Sequence, residues 1–183
     1  MTYYPHTPEY KLSNEINIIS IDPGTTSMAI SVEKWIDGKY SSSILLEIWN
    51  VGPSSKDISV ILTDLIKKLD EYLTIIKTCT LFLVERQSFG IKMARVCERL
   101  ITYFIMLNLG MVVELSPKIK HLGKPRKTKA KQWVIDKTIT LLENRNDNTF
   151  EIVTMKSRKQ KEDLCDAIFQ LNEFMRLYYK KFS

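Results

Sequence analysis

The feature that most constrains this chain is the apolar run Ile16–Gly24, which ends in Asp22-Pro23-Gly24. Its isoleucines favour a buried strand, because β-branched side chains pack well on a pleated surface. Pro23-Gly24 turns the chain, so the strand is expected to leave the Asp22 carboxylate at its carboxyl end. A desolvated carboxylate without a partner is costly. We therefore predict a charged partner for Asp22, namely a metal ion shared with other carboxylates.

Composition limits the class of protein. At 183 residues with 44% hydrophobic side chains, the chain is long enough for one domain with a real core. A net charge of +6 and a pI of about 9.1 favour a polyanionic partner. Three cysteines without C-x-x-C spacing indicate a reducing compartment. With no visible signal peptide or bilayer-spanning run, the sequence predicts a soluble, intracellular protein without membrane association.

The hydrophobic pattern predicts an α/β domain over residues 16–183, preceded by a loose N-terminal arm over 1–15. Three antiparallel strands are followed by crossovers that add parallel ones, giving a mixed five-stranded sheet with helices on both faces. The predicted strands are Ile16–Gly24, Thr25–Val32, Ser43–Val51, Thr80–Val84 and Met111–Leu115. The predicted helices run from about Ser55 to Leu73, Gly90 to Asn108, Lys129 to Glu143 and Glu162 to Tyr179.

Four carboxylates stand where this topology brings elements together. Asp22 and Glu85 end two strands, and Asp163 and Asp166 lie three residues apart on one side of the last helix. Two Mg²⁺ ions would neutralise this charge, and a pair of ions roughly 4 Å apart supports phosphodiester cleavage. Simpler roles also remain open: a turn-forming Asp22, a solvated Glu85-Arg86 pair, and acids that complement the helix dipole.

Two basic segments flank the predicted carboxylate cluster. Ser116–Lys131 contains no acidic residue and predicts a loop that follows a phosphate backbone. The predicted DNA contacts in the two segments are Lys118, Lys120, Lys124, Arg126, Lys127, Lys129, Lys156, Arg158 and Lys159. Since charge runs are usually just solvated surface, that alternative stays open.

These motifs resemble those of RuvC-type Holliday-junction resolvases in the RNase H-like superfamily. The triplet at 22–24 resembles the first motif, and LVERQ at 83–87 resembles the second, most closely in its mitochondrial and poxvirus branches. SPK at 116–118 with KQWV at 131–134 resembles the stretch that carries basic active-site residues. KEDLCDA at 161–167 matches the closing D-x-x-D-A helix, so the resemblance covers nearly the whole chain.

The resemblance implies an RNase H-like fold and a homodimer in which each subunit nicks one strand of a four-way DNA junction. Asp22, Glu85, Asp163 and Asp166 would hold two Mg²⁺ ions per active site, with Mn²⁺ as a substitute. Lys131 would steady the scissile phosphate. It is equally compatible with a solvated surface lysine.

The resemblance also implies contacts at the junction centre. Arg86 and Gln87 would contact the DNA backbone, and an exposed Phe89 would stack on a splayed base. The simpler interpretation is that Phe89 packs at the start of the second helix. The compact chain and the Glu-Arg-Gln motif suggest resolvases of large cytoplasmic DNA viruses, and hence a cytoplasmic site of action. A mitochondrial source stays open.

Other functions use the same features. The segment 22–27 also resembles the first phosphate loop of sugar kinases in the actin-like ATPase superfamily, but the chain has six glycines and no second Gly-rich phosphate turn. An RNA–DNA hybrid or another branched DNA would suit the same carboxylates. A catalytically inactive junction-binding module would need only the fold.

Overall fold

The computed structural model describes residues 1–4, 12–53, 55–87 and 90–181. In this part of the chain six strands form one mixed sheet, in the order β1-β6-β5-β2-β3-β4. The strands are β1 Thr2–Tyr4, β2 Glu15–Asp22, β3 Met28–Ile36, β4 Lys39–Trp49, β5 Leu81–Glu85 and β6 Met111–Leu115. The helices are α1 Ile58–Glu71, α2 Leu73–Ile76, α3 Ile91–Leu107, α4 Ala130–Arg145, α5 Phe150–Thr154 and α6 Arg158–Tyr178, with 3₁₀ turns at Pro117–His121 and Tyr179–Lys181.

The sheet has the predicted mixed character. Strands β2, β3 and β4 are antiparallel, and β5 and β6 add parallel strands beside β2. The predicted count of five strands was wrong, because Thr2–Tyr4 pairs antiparallel with β6. This three-residue strand lies in the segment predicted to be a loose arm. It covers the edge of β6, which would otherwise present unpaired backbone groups.

Helices cover both faces of the sheet, as predicted. On one face, α1 and α3 pack against the sheet through Leu65, Leu100 and Phe104, which lie in one cluster with Ile19 and Ile21 of β2. On the other face, α6 packs against Ile18, Leu81 and Leu83 in a second cluster, and α4 packs against α6. Since successive side chains of a strand alternate between faces, Ser20 and Asp22 share the α6 face with Ile18.

Several boundaries differ from the predicted ones. The second strand begins at Met28 rather than Thr25, because residues 23–27 form the turn after Asp22. The last helix begins at Arg158 rather than Glu162, and its first turn is polar and exposed, which hides it from hydrophobic periodicity. Pro117–His121 forms a 3₁₀ turn within the segment predicted to be a loop.

Candidate active site

Asp22 and Glu85 end two adjacent parallel strands. Ile21 of β2 is paired with Val84 of β5, so the two carboxyl-terminal residues lie next to each other at one edge of the sheet. Glu85 shares the α6 face with Leu81 and Leu83, because their positions alternate by two. The predicted proximity of the two strand ends is therefore confirmed.

The turn after Asp22 depends on glycine and also contacts α6. A Cβ on Gly24 would overlap the backbone carbonyl oxygen of Ser27, so a larger residue would open the turn. The turn is held to the segment that follows β4 by a hydrogen bond from Val51 N to Thr25 O at 2.8 Å. The Ser27 hydroxyl donates a hydrogen bond to Asp163 Oδ2 on α6. One tight turn thus connects the first carboxylate to the third.

Lys120 lies within the group of four carboxylates formed by Asp22, Glu85, Asp163 and Asp166. Its Nζ lies 2.6 Å from Glu85 Oε2 and 2.7 Å from Asp166 Oδ2, and the residue is only 4% exposed. Lys120 was predicted to lie in a basic loop and to contact DNA. The loop prediction was wrong for this residue, because Lys120 is buried in a 3₁₀ turn, and its contact with DNA stays a prediction. The 3₁₀ turn Pro117–His121 buries Ile119 against the α6 face of the sheet, which directs the next side chain into the site.

Burial and electrostatic interactions within this group shift the pKa values of its side chains. Desolvation raises the pKa of Asp22 well above its ordinary value, and Glu85, Asp166 and Asp163 raise it further, while Lys120 opposes them. Desolvation also raises the pKa of Glu85, against Lys120. Burial by itself would lower the pKa of Lys120, but Asp22, Asp166 and Glu85 raise it above its ordinary value. The Lys120 ammonium therefore stays charged beside the carboxylates.

Asp163 lies at the rim of the group. Desolvation raises the pKa of Asp163, and the hydrogen bond from Ser27 opposes that change. Gln87 Nε2 lies 3.4 Å from Asp22 Oδ1, a long hydrogen bond that orients the first carboxylate. Gln87 and the exposed Arg86 were both predicted to contact the DNA backbone, and these contacts stay predictions.

The donor chemistry fits a hard divalent cation. The group offers carboxylate oxygens, which are the ligands that Mg²⁺ prefers. Glu85 Oε2 is buried, and its partner at 2.6 Å is the Lys120 ammonium. In this conformation no three acidic, histidine or cysteine side chains of the described residues form a metal-coordinating set. Lys120 binds two of the carboxylates instead.

Lys131 lies beside the site without contacting the four carboxylates in the ion pairs described. Its Nζ is 2.7 Å from Glu162 Oε2, and its side chain is 78% exposed. Glu162 also pairs with Arg158 at 3.4 Å. The catalytic role of Lys131 stays a prediction. Phe89, the predicted wedge, lies outside the described residues.

The side chains predicted to contact DNA are of two kinds, those hydrogen-bonded within the protein and those exposed to solvent. Lys124 Nζ donates to the carbonyl oxygens of Pro125 and Thr128, at 3.0 and 2.8 Å, and so closes its own loop. The exposed members are Lys118, Arg126, Lys127, Lys129, Lys156, Arg158 and Lys159. Their contacts with DNA stay predictions.

Three contacts of the site were missed by sequence reasoning. These are the central position of Lys120, the Ser27–Asp163 hydrogen bond and the Gln87–Asp22 hydrogen bond. A signal existed for Lys120, since Ser116 followed by Pro117 is an N-cap with proline at the first helical position, and an apolar residue precedes the lysine. Ser27 and Asp163 are 136 positions apart, and no local pattern connects them.

Comparison with known proteins identifies the fold. The fowlpox virus resolvase, solved with Holliday-junction DNA, aligns with 88% of this chain and 97% of its own, at 14% identity and a TM-score of 0.65. The yeast mitochondrial Holliday-junction resolvase Ydc2 aligns with 96% of this chain and 82% of its own, at 14% identity and a TM-score of 0.65. RuvC of Thermus thermophilus, solved with a Holliday-junction substrate, aligns with 90% and 97%, at 12% identity and a TM-score of 0.55.

The chain has the RNase H-like fold of these resolvases. This confirms the predicted fold class. No protein-family model and no curated protein sequence matches the chain. Among the described residues, no helix has both the length and the apolar character needed to cross a membrane.

Proposed function

We propose that this protein is a structure-selective DNA endonuclease that resolves four-way junctions by paired, symmetric nicks. The observation that carries the proposal is that one Lys120 ammonium pairs with both Glu85 and Asp166 beside the strand end of Asp22, with Asp163 bonded to the turn after that strand. The fold shared with three Holliday-junction resolvases, two of them solved with junction DNA, supports the choice of substrate.

The four carboxylates would hold Mg²⁺, with Mn²⁺ as a substitute and two ions per active site. When bound, such ions activate water and stabilise the charge that develops on phosphate oxygens. The chain contributes the fixed parts of the site. Ser27 holds Asp163, Gln87 orients Asp22, and the Lys120 ammonium keeps Glu85 and Asp166 together.

The DNA would be held mainly through its phosphates. Lys118 is exposed on the 3₁₀ turn that carries Lys120 into the site. The segment after that turn exposes Arg126, Lys127 and Lys129. A DNA backbone bound by these side chains would therefore lie near the carboxylates. Lys131 stands at the same side and would steady the scissile phosphate. A homodimer suits the task, because a two-fold symmetric junction needs two matched cuts. The predicted cytoplasmic site of action remains part of this proposal.

The test is cleavage of a synthetic four-way junction with Mg²⁺, beside a linear duplex, a fork and an RNA–DNA hybrid of the same sequence. We expect paired nicks in the four-way junction alone, with ends that a ligase seals. Asp22→Asn should abolish cleavage and leave junction binding unchanged, because it removes a charge without changing the side-chain volume. Cleavage of the hybrid would instead indicate a ribonuclease. Binding without cleavage in either Mg²⁺ or Mn²⁺ would indicate an inactive module whose carboxylates are occupied by Lys120.

A further inference from the structure

A buried polar link joins β2 to α6 behind the carboxylates. Gln170 Nε2 donates hydrogen bonds to Ser20 Oγ and to the carbonyl oxygen of Ile21, both at 2.9 Å. The Ser20 hydroxyl donates to the carbonyl oxygen of Ala167 at 2.8 Å. Ser20 and Gln170 are fully buried. One hydroxyl of β2 and one amide of α6 therefore connect the strand and the helix by hydrogen bonds in both directions.

The link lies in register with the four-carboxylate group. Ser20 precedes Asp22 by two residues and so faces the same side of β2. Gln170 follows Asp166 by four residues and Asp163 by seven, which places all three on one face of α6. A one-residue slip of α6 would turn both aspartates about 100° around the helix axis. Hydrogen bonds at Ser20 and Gln170 oppose such a slip.

Packing alone does not explain a glutamine at this position. Gln170 Oε1 is buried and has no hydrogen-bond partner among the described residues. A buried acceptor without a partner lowers stability, whereas an apolar side chain of similar length would fill the same space without that loss. The neighbouring α6 residues Leu171 and Phe174 are apolar and pack in the core in this way.

We propose that Gln170 and Ser20 are positioning residues that set the register of α6 on β2. Through that register they hold α6, and with it Asp163 and Asp166, against the strand ends that carry Asp22 and Glu85, where a divalent cation would bind. The inference rests on the proposed function, because it concerns the same carboxylates. It adds two residues, neither of which is a predicted ligand.

The test measures cation binding without DNA or catalysis. Mn²⁺ is titrated into the purified protein, and free Mn²⁺ is counted by electron paramagnetic resonance. Gln170→Met keeps the side-chain length and removes both hydrogen bonds. We expect it to weaken Mn²⁺ binding about 10-fold, the scale on which residues that support metal ligands act. Its midpoint of thermal unfolding without cation should stay close to that of the wild type, because the loss of two hydrogen bonds is offset by removal of the unpaired Oε1.

A matched control separates positioning from stability. Phe174→Leu truncates a fully buried ring one turn further along α6. It should lower the unfolding midpoint and leave Mn²⁺ affinity unchanged. Ser20→Ala combined with Gln170→Met should weaken Mn²⁺ binding no more than the stronger single variant, because both act through one link.

Three results would overturn the inference in different ways. If Gln170→Met binds Mn²⁺ as tightly as the wild type, the positioning role is wrong and the proposed function stands. If Gln170→Met and Phe174→Leu lose Mn²⁺ affinity in proportion to lost stability, the link is merely structural. If the wild type binds no Mn²⁺, the proposed function fails, and the inference fails with it.

Discussion

Lys120→Met would remove a buried ammonium that lies 2.6 Å from Glu85 and 2.7 Å from Asp166, and would keep a side chain of similar length. Removing one partner of a buried ion pair costs about 3–5 kcal/mol, because the other partner stays buried and charged. Glu85 is 5% exposed and bears this cost fully. The Asp166 side chain is 30% exposed and keeps part of its hydration. We therefore expect a loss of about 3 kcal/mol in the free energy of unfolding at pH 7.

The loss should depend on pH in a defined direction. Desolvation raises the pKa values of Asp22 and Glu85 above their ordinary values of 3.8 and 4.5. The folded protein thus binds protons that the unfolded chain releases, and stability is lost as pH rises through the raised pKa values. Lys120 lowers both pKa values, so its removal raises them further and extends this loss to higher pH. The Lys120→Met penalty should be smallest near pH 4 and largest near pH 8.

The assay is urea unfolding followed by circular dichroism at several pH values, with and without Mg²⁺. Mg²⁺ should recover part of the lost stability, because it supplies the missing positive charge. Lys118→Met is the matched control, since Lys118 is exposed on the same 3₁₀ turn. It should change stability by no more than about 0.5 kcal/mol. A Lys120→Met penalty that is independent of pH, or no larger than that of the control, would show that the Lys120 ammonium does not stabilise the buried carboxylates.

Three further perturbations test other parts of the account. Replacing both of the exposed residues Arg126 and Lys127 by glutamate should weaken junction binding and lower the slope of log affinity against log salt concentration by about 2. The control Lys39→Glu, at the opposite end of the sheet, should leave the slope unchanged. An unchanged slope in the double variant would mean that Arg126 and Lys127 are solvated and do not contact DNA. Burial raises the pKa of Glu33 from 4.5 to about 7. The protonated Glu33 side chain therefore stabilises the folded state at low pH, and this stabilisation is lost as pH rises from about 4.5 through 7. Glu33→Gln should flatten the fall in unfolding midpoint between pH 5 and 8, and an equal fall in both proteins would contradict this burial effect. Gly24→Ala should destabilise the protein by about 2 kcal/mol and reduce cleavage, because its Cβ overlaps a carbonyl oxygen of the turn; wild-type stability would show that the turn relaxes freely.

The fold was predictable where local pattern and topology agree. Met111–Leu115 was predicted at the residues where the strand lies, because Gly110 and Ser116-Pro117 bound a short apolar run. Asp22 and Glu85 were predicted to lie together, because the carboxyl ends of adjacent parallel strands share one edge of a sheet. Thr2–Tyr4 was missed as a strand, since three residues carry no periodicity and their pairing depends on β6.

The electrostatic centre of the site was not predictable in the same way. Lys120 is one of seven basic residues between 116 and 131, and the Ser116-Pro117 cap before it predicts a turn without saying which of these residues is buried. It differs from them because Ile119 packs in the core and turns the next side chain inward. The Ser27–Asp163 and Ser20–Gln170 contacts join residues 136 and 150 positions apart. Such contacts follow from the packed fold, which single-sequence patterns do not encode locally.

Under the proposed function, two copies of this carboxylate site cut one junction together, and cleavage of a supercoiled plasmid with an extruded cruciform measures this paired cutting. Paired nicks across the cruciform release linear DNA in one encounter. We expect linear product with Mg²⁺ for the wild type, and nicked circles when wild-type and Asp22→Asn chains are mixed so that one active site of a pair is lost. Nicked circles from the wild type alone, or linear product that Asp22→Asn still forms, would contradict the account.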